Sequence, residues 1–115
     1  MNTERLILGF STSNYDTMLK FFRDFGFSII EDPHDQLTPF FEHGRASRIS
    51  RGVFEFQLEE SESKSAKACF NLFITHFSDS ELERVKTLGY RFDYAEGLYG
   101  NSWTFHSPDG GVFVV

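Results

Sequence analysis

Gly52-Val53-Phe54-Glu55-Phe56 and Gly111-Val112-Phe113-Val114-Val115 are one phrase written twice, each copy closing one half of a 115-residue chain. The likeness extends upstream: Leu19, Phe22, Phe25, Gly26 and Phe27 return as Leu82, Val85, Leu88, Gly89 and Tyr90, each 63 positions later (89 − 26 = 63). Two copies of roughly sixty residues point to a duplicated domain, because a solenoid needs at least about three shorter units. The length suits one domain of the usual ~100–150 residues, and each half alone is too small for a comfortable core. The expected organisation is a single domain, 1–115, made of units 1–59 and 68–115. They are joined by the connector 60–67, Glu-Ser-Glu-Ser-Lys-Ser-Ala-Lys, which has no large apolar group.

Within each unit the periodicities alternate between strand and helix. Leu6, Leu8 and Phe10 alternate with Ile7, Gly9 and Ser11 as a first strand ending near Ser11. Ser13-Asn14-Tyr15-Asp16 then caps a helix in which Met18, Leu19, Phe22 and Phe25 keep a helical period and Gly26 supplies the stop. Phe27 to Ile30 reads as a strand, Asp32-Pro33-His34-Asp35 as a turn, and Phe40 to Ile49 as a weaker strand. Val53 to Glu59 alternates, with Phe54, Phe56 and Leu58 on one face and Val53, Glu55, Gln57 and Glu59 on the other.

The second unit repeats the plan. Strand Cys69 to Thr75 is followed by a helix opened by the capping box Ser78-Asp79-Ser80-Glu81 and closed by Gly89. After Tyr90 to Tyr94 come a loop through Gly100, strand Ser102 to His106, a Pro108-Asp109-Gly110 turn and strand Val112 to Val115. Each unit is strand, helix and three strands.

Composition narrows the partners. A formal net charge of −6 without a Lys/Arg stripe opposes a phosphate backbone, so no nucleic-acid partner is expected and a cationic or neutral one fits better. No stretch approaches the ~20 apolar residues of a membrane span, and the opening Met-Asn-Thr-Glu-Arg lacks the apolar core of a signal peptide, so a soluble cytoplasmic protein is expected. Cys69 is the sole cysteine; in Ala68-Cys69-Phe70 it reads as a buried thiol in a reducing compartment. Fifteen Phe in 115 residues are a strong bias, to be spent on core and on the lining of a pocket.

Phe21-Phe22-Arg23-Asp24-Phe25-Gly26-Phe27, the Glu55 strand and Trp103-Thr104-Phe105-His106-Ser107-Pro108-Asp109-Gly110 together resemble the glyoxalase, bleomycin-resistance and extradiol-dioxygenase superfamily, the vicinal oxygen chelate proteins. The resemblance runs from Leu6 to Val115. It implies an α+β fold in which two tandem βαβββ units cup a mixed sheet around a cavity with helices outside, and a homodimer, since two chains often complete the cavities together. The metal enzymes of the family draw ligands from the first and last strands of each unit. Here those places hold Ile7, Glu55, Asn71 or its neighbour Phe70, and Val114, whereas a catalytic divalent metal needs about three ligands, mostly His and carboxylate. The repeat places Val114 opposite Glu55, so a symmetric carboxylate pair is missing. No metal and no cofactor are expected, and the non-metal, drug-binding branch is favoured.

The candidate ligand-binding residues are Glu55, Gln57, Asn71, Phe73, Tyr99, Trp103 and His106, with no catalytic residue among them. Glu55 and Gln57 share a strand face that either lines the cavity or is plainly solvated. A walled-off Glu55 would serve as a general base or as the counter-charge of a cationic ligand. Asn71 and Phe73 are expected on the cavity side of their strand, Tyr99 and Trp103 around Gly100 as rings for a planar or cationic molecule, and His106 as a possible contact. His34, His43 and His76 read as loop or edge residues, and Arg45, Arg48 and Arg51 as a solvated edge rather than a carboxylate clamp. The favoured function is sequestration of an aromatic or cationic small molecule. The alternatives are a metal-dependent lyase, isomerase or dioxygenase of the same superfamily, and an interaction module whose cavity Phe side chains have filled.

Overall fold

A computed structural model describes residues 7–31, 44–98 and 100–115. It contains two compact units, Met1–Lys67 and Ala68–Val115. The first runs β1 (Leu8–Thr12), α1 (Tyr15–Asp24), β2 (Ser28–Glu31), β3 (Ala46–Arg51) and β4 (Phe54–Glu60). The second runs β5 (Asn71–Phe73), α2 (Asp79–Lys86), β6 (Phe92–Gly97), β7 (Gly100–His106) and β8 (Val112–Val114). The strand order is β1-β4-β3-β2 in one four-stranded sheet and β5-β8-β7-β6 in the other, and in each the first strand of the unit is an edge strand paired in parallel with the last. The α+β class and the βαβββ plan read from the periodicities are both present. Tyr99 and the Asp32-Pro33-His34-Asp35 turn lie outside the described residues, as does the first part of the strand expected from Phe40; its described part begins only at Ala46.

Phenylalanine makes the first core. Phe21, Phe22, Phe25 and Phe56 are fully buried, Phe22 meets Phe56 at 5.1 Å between ring centroids, and Phe10 and Phe27 stand edge-on to Phe56. Each such ring contributes about 2–3 kcal/mol by leaving water. Tyr15 at the start of α1 is buried too, its hydroxyl hydrogen-bonded to Ser47 of β3. Gly26 ends the helix at φ 84°, as expected of a left-handed stop. Asn14, however, makes no side-chain capping bond; its N–H instead donates to Thr12 Oγ1 at 2.9 Å. The polar segment after β4 is hydrogen-bonded back onto the first unit through Ser61 N–H to Thr12 O and Ser13 N–H to Ala66 O, both 2.9 Å.

The second unit is more lightly packed. Phe105, Phe113 and Val85 are buried, with Phe92 against Phe105 at 5.2 Å. Helix α2 buries only Val85 and therefore leans on its cap: Ser78 Oγ accepts from Glu81 N–H at 3.1 Å while the Glu81 side chain reaches back to Ser78 N–H. Ser78→Ala is expected to lower stability by about 1 kcal/mol, read from the urea midpoint at unchanged slope. Cys69 differs from the expectation of a buried thiol. Ala68 is the residue pulled inward, its N–H held by Asp109 Oδ2 at 2.7 Å, and alternation then turns Cys69 out to solvent.

The registers correct how the two halves correspond. Across the first sheet Leu8, Phe56, Ile49 and Ile29 form one row; across the second Leu72, Phe113, Phe105 and Phe92 do. Ile29 and Phe92 each stand three residues past the glycine that ends the helix, so the rows are equivalent and Phe56 matches Phe113. The Gly-Val-Phe phrases are thus two residues out of step. Glu55 corresponds to Val112, not Val114, and Gln57 corresponds to Val114.

Candidate functional site

Each sheet has one face covered by its helix and one that is not, and the helix-free faces carry the polar side chains. In the first unit β4 and β3 are the two inner strands, and the pairs Gln57 with Arg48 and Glu55 with Ser50 put Glu55, Gln57, Glu59 and Arg48 on one face. Arg48 Nη1 donates to Glu55 Oε1 at 2.8 Å and Nη2 reaches Gln57 Oε1 at 3.5 Å; Gln57 Nε2 donates to Glu59 Oε1 at 2.7 Å. Arg48, Gln57 and Glu59 are buried, while the Glu55 side chain keeps 32% of its surface. Glu55 is therefore the end of this chain of hydrogen bonds that faces water.

This arrangement overturns the reading of the three arginines as one solvated edge. Arg48 is buried. Arg51 donates to Phe25 O at 2.9 Å, which satisfies a carbonyl at the end of α1. Only Arg45 is exposed, bridging Asp16 at 2.9 Å and Glu31 at 3.1 Å above the Tyr15 ring, and the Asp16 hydrogen bond is the main cause that raises its pKa. Glu55 also changes character, because a guanidinium already sits on its carboxylate.

In the second unit the helix-free face carries Asn71 and Phe73 from β5, Val112 and Val114 from β8, Thr104 and His106 from β7, and Asp93 from β6. Phe73 is 76% exposed. His106 Nε2 lies 2.8 Å from Asp93 Oδ2, a diagonal pair across β6 and β7, and that hydrogen bond leads the causes that hold the Asp93 carboxyl below its usual range. Trp103 is not on this face. It shares the parity of Phe105, lies against Phe92 and Tyr94 at 5.6 and 4.6 Å, and has Lys86 of α2 4.5 Å from its ring centroid. The candidates therefore fall into two groups, Glu55 with Gln57 and Asn71 with Phe73 and His106, and Trp103 leaves the set. Arg48 and Asp93 are the polar partners that belong beside them.

No protein-family model matches the sequence, and no curated protein matches it. In structure the chain is similar to the fosfomycin resistance protein FosX from Mesorhizobium loti, at 18% identity and a TM-score of 0.62 over 99% of this chain and 90% of that one. It is also similar to the bleomycin resistance determinant encoded on the transposon Tn5 (14% identity, TM-score 0.59, 97% and 95% covered) and to a bleomycin-binding protein solved with bleomycin (14%, 0.58, 97% and 96%). The fold is the one these resistance proteins share.

The family that the sequence resembles includes metal enzymes, and the described residues do not supply the ligand set which that use implies. Among the described residues no three His, Cys, Asp or Glu side chains gather as a ligand set. The carboxylate at the fourth-strand position is engaged by Arg48, and its counterpart in the second unit is Val112. A cation would have to displace a guanidinium at one place and has no donor at the other.

Proposed function

We propose that the protein binds a small organic molecule, aromatic or cationic, and sequesters it without chemical change, in the manner suggested by the drug-binding proteins that share its fold. Antibiotic tolerance is the corresponding biological role, exercised by a homodimer in the cytoplasm. The observation that carries the reading is Phe73, a phenylalanine left 76% exposed on the edge strand β5, two positions from Asn71, in a chain that fully buries Phe21, Phe22, Phe25, Phe56 and Phe105. An exposed ring among Asn71, Thr104 and His106 offers a stacking surface with polar contacts around it, the usual make-up of a small-molecule site. The acidic balance adds a long-range preference for cations, which Glu55, already paired to Arg48, supplies less directly.

Calorimetric titration with bleomycin and with simple aromatic cations tests this. Phe73→Ala is expected to weaken binding about fivefold to tenfold, the value of one aromatic contact, without moving the melting temperature of the free protein. Unchanged affinity in that variant, or no heat from any of these molecules, would remove the reading. Sedimentation at micromolar concentration tests the dimer.

A further inference from the structure

His106 is more specific than a generic polar neighbour. Its partner Asp93 is a carboxylate, which only accepts, so the proton on the shared bond sits on His106 Nε2 and the neutral ring presents Nδ1 as an acceptor. Among the described residues none hydrogen-bonds Nδ1, and the His106 side chain keeps 29% of its surface. The patch around it has the dimensions of one ring. Asn71 and His106 flank Val112 on either side, and Phe73 and Thr104 flank Val114, which gives a field of about 10 Å across three strands and about 7 Å along them. Asn71 and Thr104 can donate or accept, so neither discriminates; Nδ1 accepts only.

We infer that the ligand of this face is an aromatic ring carrying a hydrogen-bond donor, a phenolic hydroxyl or ring N–H, received by His106 Nδ1 while Asp93 fixes the tautomer and angle of the imidazole. This rests on the proposal that the face binds small molecules and names the class it selects.

The test compares p-cresol with its methyl ether 4-methylanisole, which lacks the donor, in NMR titrations of the intact protein at pH 8. The expected result is that p-cresol shifts the Phe73, Asn71 and His106 signals and binds about two- to tenfold more tightly than the ether at pH 8. That ratio should fall towards one in His106→Leu, and partly in Asp93→Asn, which no longer dictates the tautomer. Equal binding of both probes at this face would overturn the donor rule and leave the binding site standing. Failure of both to shift Phe73 or Asn71 would overturn site and rule together. Nitrogen-15 shifts of free His106 that place the proton on Nδ1 would overturn the rule without any ligand.

Discussion

Arg48→Ala is expected to cost about 3 kcal/mol of folding stability, far more than any other arginine in the described chain. The guanidinium is 4% exposed and holds Glu55 Oε1 at 2.8 Å and Gln57 Oε1 at 3.5 Å. Truncation removes the cation from an acidic face that also carries buried Glu59, takes a donor from Gln57, and leaves the volume of a long side chain unfilled. Breaking a buried pair on one side costs roughly 3–5 kcal/mol, and the lower end applies because the Glu55 side chain, still 32% exposed, regains some hydration. The comparison that isolates the charge is Arg48→Met with Glu55→Gln. Removing both charges and restoring apolar volume should recover more than half of the loss, since isosteric replacement of a buried pair is often near neutral. Urea melts at constant slope measure both. A loss below about 1 kcal/mol in Arg48→Ala would mean that the polar chain is not held as described. Arg45→Ala, on an exposed bridge, should change stability by less than about 1 kcal/mol.

The elements of this fold were legible because their signals are local: alternation in β4, the capping box at Ser78, a left-handed glycine after each helix. What escaped depends on register. Arg48 reads as surface because charged residues usually are, and nothing in Ser47-Arg48-Ile49 says that β3 is an inner strand with Gln57 directly across. The Asp93–His106 pair exists because the β6–β7 ribbon continues to Gly97 opposite Gly100. A loop drawn as far as Gly100 loses that register, and with it the diagonal. Trp103 could have been placed from sequence, since two positions from Phe105 on the same strand it must share the core-facing side. The choice of the Gly-Val-Phe phrase as the repeat put Val114 opposite Glu55, although the face was right because an error of two residues preserves parity.

That same phrase supplies the second large effect, because its two glycines serve different purposes. Gly111→Ala is expected to cost on the order of 3 kcal/mol and to disturb the whole second sheet, whereas Gly52→Ala should cost only about 1 kcal/mol. Gly52 sits in the two-residue turn between β3 and β4 at φ 60°, with nothing within 4 Å of an added methyl, so its penalty is conformational alone. A Cβ on Gly111 would lie 2.3 Å from Phe70 O and 2.8 Å from Phe70 N, and these are backbone atoms that cannot swing away. Phe70 O accepts from Val112 N–H at 3.3 Å immediately before Asn71 pairs with Val112, so the displacement would open the three-residue contact of β5 with β8. Gly111 is also tied to Ser107 from both sides, through its N–H to Ser107 Oγ at 2.9 Å and its carbonyl from Ser107 N–H at 2.8 Å, which blocks the alternative of moving β8. Amide exchange on the intact protein should show protection lost across residues 71–74 and 112–114 in Gly111→Ala while β1 to β4 stay protected at moderate destabilisation. Equal melting of the Gly111→Ala and Gly52→Ala variants would show that the close approach of the two backbones is not what holds β5 in place. Since β5 carries Asn71 and Phe73, the same variant should lose small-molecule binding before it loses the fold.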